Sequence, residues 1–249
     1  MSSTRPYRLA EHSHVCANSQ GAIFLDLERD AYFGVDAHQA AALAGLVERW
    51  PSEPVPSTAS PDECRALARS LCERGVLTAA SNGAAAEHAT TSVHGNERAR
   101  TVPPVTDEFT PWDQMPRANV RPHHVITFLR ILIRTLWMLR RRSLHAVVLR
   151  RTARNQLPGG KAEYPQRALA RDLLSVYTLL RMFAFARRGR CLLDSIVLAE
   201  FLATYGVQAE WVIGVHVRPF SAHSWVQHEQ FVLNGSPAFV RHFQPILVT

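Results

Sequence analysis

Hydrophobic and polar positions first follow a strand pattern and then a helix pattern. Residues 21–35 place apolar side chains at alternating positions, break at the polar cluster Glu28–Asp30, and resume, which is typical of a β-hairpin. From His38 to Trp50 the apolar positions recur at spacings of three and four, which predicts an amphipathic helix. The first part of the chain is therefore predicted to contain both strands and helices.

A second helix is marked by residues at its two ends. Ser60 is a suitable N-cap, Pro61 fits the first helical position, and Glu63 would complete a capping box. Gly75 predicts the end of this helix, and the apolar segment that follows it predicts a short strand. We assign these segments to a first domain, residues 1–80.

The composition changes between residues 81 and 118, where glycine, proline and asparagine are frequent and large apolar side chains are few. This predicts a linker. Residues 119–249 are assigned to a second domain, with helices over about 122–150 and 165–187 and then a helix followed by strands. The predicted fold class is α+β.

Charge is distributed unevenly along the chain. The formal net charge is +7, but 17 basic and two acidic residues lie from Arg117 to Arg190, a local +15 that leaves −8 elsewhere. We interpret the arginines as a solvated helix face opposite an apolar core stripe. The alternative interpretations are a nucleic-acid or membrane surface, or docking of an acidic peptide or protein partner. The stripe consists of Ile126, Leu129, Ile133, Leu136 and Trp137.

Several classes of protein are disfavoured. Arginines interrupt the most apolar segment, so no membrane span is expected, and the first 80 residues carry seven basic and ten acidic residues, a poor match to nucleic acid. The four cysteines form no CxxC pair and no signal-peptide pattern is present, so we expect a reduced, cytoplasmic protein. His12, His14 and Cys16 would share a strand face, but no second ligand group follows, and no metal site is predicted.

A cysteine and a histidine are the main candidates for chemistry. Cys191 begins a predicted helix, where exposed N–H groups and the helix dipole favour a thiolate, and arginines just upstream add positive potential. His223 lies on an alternating strand 32 residues later and could act as its base. A buried structural cysteine and a merely packed histidine are the alternatives.

Two residues are candidates for the group that would orient the imidazole. Asn234 follows the histidine strand at a point where a hairpin would return it beside His223, and its amide could fix the imidazole tautomer. Asp194 lies three residues after Cys191 on the same helical turn, where a carboxylate also stabilises a helix N-terminus.

Two segments resemble known families. The segment RGRCLLDSIVLAEFLATYG and the strands after it resemble the C-terminal peptidase of lasso-peptide maturation B proteins, which belong to the transglutaminase-like cysteine proteases. IFLDLERDAYFGVD and DECRALARSLCERGVL resemble a PqqD-like, winged-helix-related element that binds leader peptides. The resemblance therefore implies a peptide-binding domain followed by a papain-like protease domain.

The resemblance implies a leader peptidase that cuts a lasso precursor peptide between leader and core. Cys191 matches the nucleophile and His223 the general base. The leader would add as a strand to a sheet edge near residues 22–27 or 32–35. No cofactor is expected to bind directly, although activity could depend on ATP through a partner macrolactam cyclase. The implied leader-binding residues are Phe24, Leu25, Tyr32 and Phe33.

The chain departs from the family pattern at one position. The family's catalytic aspartate would fall at Gly235, which has no side chain, and the preceding Asn234 would point to the opposite face of a regular strand. A non-catalytic protein that escorts the precursor to another enzyme is therefore the alternative function.

Overall fold

The computed structural model describes residues 5–51, 60–80, 102–105, 117–141, 143–155, 166–184 and 191–249. The chain divides into two compact units. The predicted linker at 81–118 lies mostly outside the described residues, so its boundaries stay a prediction. The first unit comprises Met1–Thr101, Val215–Ser221 and Gln244–Leu247, and the second comprises Val102–Gly214, Ala222–Phe243 and Val248–Thr249.

The first unit contains the predicted hairpin. Strands β2, β3 and β4 form an antiparallel sheet in that order, with Gly21 paired to Asp36 and Asp26 paired to Ala31 across the hairpin. Strands β1 and β5 form a separate antiparallel pair. The elements are β1 (Tyr7–Leu9), β2 (Ser13–Asn18), β3 (Gly21–Asp26), β4 (Ala31–Asp36), α1 (Ala37–Ala44), α2 (Pro61–Glu73) and β5 (Leu77–Ala79).

The ends of α2 confirm the prediction from local sequence. The Ser60 hydroxyl accepts a hydrogen bond from the Glu63 N–H, and the Glu63 carboxylate accepts one from the Ser60 N–H. Gly75 has a φ of +77°, a left-handed conformation that glycine adopts without steric cost, and the helix ends just before it. Helix α1 is shorter than predicted and ends at Ala44.

The core of this unit lies between the sheet and the two helices. Phe24 of the central strand is fully buried, stacks on Phe33 with ring centroids 4.8 Å apart, and packs against Trp50. Leu43 and Leu71 bring α1 and α2 into the same cluster. Strand β3 is thus covered by its neighbours, which leaves β2 and β4 as the edges of the sheet.

The remaining elements are helices followed by a four-stranded sheet of order β8-β7-β6-β9. Helix α6 is buried on all sides from Leu193 to Leu202 and packs against α3 and α5, as expected of a central helix. The elements are α3 (Pro122–Arg141), α4 (Leu144–Asn155), α5 (Gln166–Ala184), α6 (Cys191–Thr204), β6 (Glu210–His216), β7 (Ser221–His228), β8 (Phe231–Val232), α7 (Pro237–Val240) and β9 (Gln244–Val248).

Helix α3 is oriented differently from the prediction. Its buried positions are Phe128, Ile131 and Thr135, while four members of the predicted core stripe are 46–65% exposed. The interpretation of that stripe as core is therefore wrong. The four exposed members are Ile126, Leu129, Ile133 and Trp137.

A buried carboxylate explains this orientation. Glu200 of α6 accepts a hydrogen bond from Arg134 of α3 at 2.6 Å and one from Arg154 of α4 at 3.3 Å. Arg151, also on α4 and fully buried, lies 3.6 Å from the same carboxylate and donates to the carbonyl of Ala209. Burial lowers the pKa of Arg151 to about 10, and the charge of Glu200 opposes that effect. These arginines join helices to the core and do not belong to a purely solvated face.

Within the ranges given above, every helix is too short or too polar to cross a bilayer.

Glu200→Gln is expected to lower the free energy of unfolding by about 3 kcal/mol, because the buried guanidinium of Arg151 loses its counter-charge. Urea denaturation followed by circular dichroism measures the change. Asp62→Asn is the matched control, since it removes the exposed ion pair with Arg65 and is expected to change stability little. A loss for Glu200→Gln no larger than that of the control would contradict this role for Glu200.

Candidate functional site

The start of α6 is fixed next to strand β7. The Ser195 hydroxyl donates a hydrogen bond to the carbonyl of Ser224 at 2.9 Å, and Ser224 directly follows His223. Cys191, the half-buried first residue of α6, precedes Ser195 by four residues. Residues four apart share one face of a helix, so Cys191 lies on the face that contacts β7, one turn from this contact.

His223 lies in an aromatic environment. The centroid of its ring is 5.0 Å from that of Phe239 and 5.5 Å from that of Phe243, and the ring stacks at 6.2 Å on Trp225. Burial against these rings lowers the pKa of His223. The imidazole is consequently neutral at pH 7 and can accept a proton.

Gly235 lies beside the same imidazole. A Cβ built on Gly235 would be 3.9 Å from Nε2 of His223 and 3.5 Å from methyl groups of Val232 and Val240, all ordinary van der Waals distances. The position that the family resemblance gives to an aspartate is thus adjacent to the predicted base. A small side chain fits there without displacing the backbone.

Asn234 bridges the histidine strand and α6. Its Oδ1 accepts a hydrogen bond from the Val226 N–H at 2.7 Å. Its Nδ2 donates to Asp194 Oδ2 at 3.1 Å and to the Ser195 hydroxyl at 3.0 Å. All three bonds hold the strand against the first turn of α6.

Asp194 is buried in the same network. Its carboxylate accepts a hydrogen bond from the Tyr177 hydroxyl at 2.9 Å and forms an ion pair with Arg181 at 3.0 Å. Burial, and secondarily the charge of Asp194, raise the pKa of Tyr177. The two candidates for the third catalytic member therefore bind one another. Among the described contacts neither has a hydrogen bond to His223, and the choice between Asn234 and Asp194 stays a prediction.

Two of the other cysteines have environments that disfavour a thiolate. Burial raises the pKa of Cys16 to about 11, and burial together with the charge of Glu73 raises that of Cys72. Within the part of the chain that the structure describes, no group of three or more potential ligands is placed to hold a metal ion. The arginines just before Cys191 lie outside the described residues, so their effect on the thiol stays a prediction.

The four predicted leader-binding residues differ in accessibility. Phe24 and Leu25 are fully buried on the central strand β3, so their side chains support the sheet from within. Tyr32 and Phe33 are half-buried on the edge strand β4. Of the two edges considered from sequence, only residues 32–35 lie in an outer strand of the sheet, among the strands that the structure describes.

A cavity of about 250 Å³ lies along β4 in the first unit. Arg218 and Phe220, which sequence patterns did not single out, also line it, and the Phe220 ring lies 5.6 Å from that of Tyr32. Sequence analysis also missed Ser195, although its four-residue spacing from Cys191 places both residues on one face of a helix and could have indicated it. Tyr177 and Arg181 carry no such local signal.

These features define a mixed α/β fold in which a cysteine at a helix start lies on the face that contacts a histidine-bearing strand. Residues 129–248, which include Cys191 and His223, match the model of the Transglutaminase-like superfamily. The chain therefore carries a transglutaminase-like domain over those residues. Searches of curated proteins and of solved structures gave no match.

Gly235→Asp is expected to raise the pKa of His223, because a carboxylate beside Nε2 favours the protonated imidazole. In the wild type the lowered pKa means that the folded state binds fewer protons than the unfolded state near pH 6, so this group makes stability fall as pH is lowered. NMR titration of the His223 ring measures both pKa values. Gly235→Asn is the uncharged control, and an equal shift in both variants would contradict the electrostatic explanation.

Asn234→Ala is expected to cost about 2 kcal/mol in the free energy of unfolding, because it leaves buried partners unsatisfied. It should leave the pKa of His223 unchanged, since the amide bonds go to Val226, Asp194 and Ser195. Asn18→Ala, which removes a half-buried amide whose hydrogen bonds to Gln244 and Gln20 are exposed, is the control for stability. A shifted His223 titration in Asn234→Ala without loss of stability would instead indicate that Asn234 orients the imidazole.

Proposed function

We propose that the protein is a leader peptidase of lasso-peptide maturation, which binds a precursor leader and cleaves between leader and core. The observation that carries this proposal is the Ser195–Ser224 hydrogen bond. This bond joins the helix that begins at Cys191 to the residue after His223, and both residues lie in the segment that matches the transglutaminase-like superfamily, which supports the proposed pair. That superfamily includes cysteine peptidases and acyltransferases, and both classes form an acyl-enzyme.

In the proposed mechanism, His223 removes the proton from the Cys191 thiol and the thiolate attacks the scissile carbonyl. The backbone N–H of Cys191 is free of an intrahelical partner at the first helical position and donates to the developing oxyanion. His223 then gives the proton to the leaving amine as the C–N bond breaks. Water, deprotonated by His223, hydrolyses the thioester and regenerates the thiol.

The environment of His223 supports a role as base. A neutral imidazole is the form that accepts a proton, and burial keeps it neutral. The positive charge of the imidazolium formed during the reaction has little compensation in this aromatic pocket, because position 235 is a glycine and supplies no carboxylate. We therefore propose slow turnover by the isolated protein.

Leader capture is assigned to the edge of β4. An extended peptide would continue the β2-β3-β4 sheet, and its alternate side chains would enter the cavity beside Tyr32 and Phe33. Phe24 stacks under Phe33 and fixes its ring. The new amine of the core would then pass to a partner ATP-dependent cyclase, which we propose as the second partner besides the precursor.

The glycine at position 235 favours one competing function, that of a non-catalytic escort that holds the precursor for another enzyme. An escort would need the β4 edge and not the Cys191 thiol. Removal of the Cys191 sulfur would therefore abolish the peptidase function and leave the escort function intact.

Cys191→Ala is expected to abolish leader release while leaving leader affinity unchanged. The full chain is incubated with precursor, cyclase and ATP, and mass spectrometry detects a leader with a free carboxyl group if the acyl-enzyme is hydrolysed. Cys64→Ala, which changes a half-buried cysteine of α2, is the matched control and should retain activity. Equal leader release by wild type and Cys191→Ala would overturn the peptidase and leave the escort.

A further inference from the structure

The outer face of α3 carries an apolar stripe. Ile126, Leu129, Ile133 and Trp137 recur at spacings of three and four, so they form one line along the helix, and each is about half exposed or more. The line extends for about 16 Å. The transglutaminase-like site does not use it, since α3 contacts α6 through its opposite face.

Positive charge flanks this stripe. Arg130, Arg140 and Arg141 are exposed, and helical periodicity puts Arg130 and Arg141 along one side of the stripe and Arg140 in line with it, at its C-terminal end. Helix α3 contains no aspartate or glutamate. The one arginine of the helix that turns inward is Arg134, whose charge is matched by Glu200. The positive charges that α3 presents to solvent are thus those of Arg130, Arg140 and Arg141.

We propose that this face of α3 binds the surface of an anionic lipid bilayer. A helix face with isoleucine, leucine and tryptophan in the centre and arginines along one side and at its C-terminal end matches an interfacial helix. The apolar side chains would enter the acyl boundary, while the arginine stems extend and keep their guanidinium groups at the phosphates. The helix would lie in the plane of the membrane and would not cross it.

The charges favour this occupant over a second copy of the chain. Two α3 faces brought together would oppose arginine to arginine, which is unfavourable at an apolar contact. A lipid phosphate layer supplies opposite charge along the whole stripe without a specific register. The proposal is independent of peptide cleavage, so Cys191→Ala should bind lipid as the wild type does.

The test is co-sedimentation of the full chain with vesicles of phosphatidylcholine alone or mixed with phosphatidylglycerol. Binding is expected for the mixed vesicles, with affinity falling as salt is raised. Arg130→Gln combined with Arg141→Gln should weaken it roughly tenfold to thirtyfold. Arg65→Gln combined with Arg69→Gln, which removes two exposed charges from α2, should leave it unchanged.

Ile126→Gln combined with Ile133→Gln tests the apolar part and should weaken binding at least about tenfold. Both side chains are more than half exposed, so the fold should persist, and circular dichroism checks this. Failure to bind the mixed vesicles, or equal loss from the α2 control pair, would overturn the proposal. Sedimentation velocity without lipid identifies the alternative, since a dimer that disappears in the isoleucine variant would show that α3 joins two copies.

Discussion

The hydrogen bond from Ser195 to the carbonyl of Ser224 is the constraint on which the site depends. Helix α6 is buried on all sides and most of its side chains are apolar, so apolar packing alone would not define its rotation against the sheet. The hydroxyl of Ser195 defines one orientation, and Asn234 strengthens it by donating to both Asp194 and Ser195. A buried, fully satisfied polar network of this kind specifies one arrangement, because any shift would leave its members unpaired. The network thereby fixes the first turn of the helix that begins at Cys191 against the strand that carries His223.

The arginine-rich helices perform two different tasks. Arg134, Arg151 and Arg154 converge on Glu200, and one carboxylate thereby joins α3 and α4 to the central helix. The arginines on the outer face of α3 have no such partner on their own helix and give that face its positive charge. The high density of arginines in the sequence does not distinguish these two sets, although their energetic requirements are opposite. A buried guanidinium needs its counter-charge, whereas a solvated one needs none.

Features encoded by neighbouring residues could be predicted from sequence, and features encoded by distant contacts could not. The capping box at Ser60, the stop at Gly75 and the hairpin at residues 21–35 depend on residues a few positions apart, and the structure confirms them. The orientation of α3 depends on Glu200, 66 residues after Arg134, so periodicity alone assigned the wrong face to the core. Likewise Asn234 and Asp194 both looked suitable for orienting His223, and the structure shows that they bind each other.

We propose that the Cys191 thiol and the His223 imidazole act as a pair. Alkylation of Cys191 by iodoacetamide, followed as a function of pH with peptide mass spectrometry, tests it most directly, because the thiolate is the reactive form. We expect His223→Gln to slow alkylation of Cys191 at neutral pH and to change its pH profile, while Cys64 in the same sample reacts as before. An identical profile for Cys191 in the wild type and in His223→Gln would contradict the pairing.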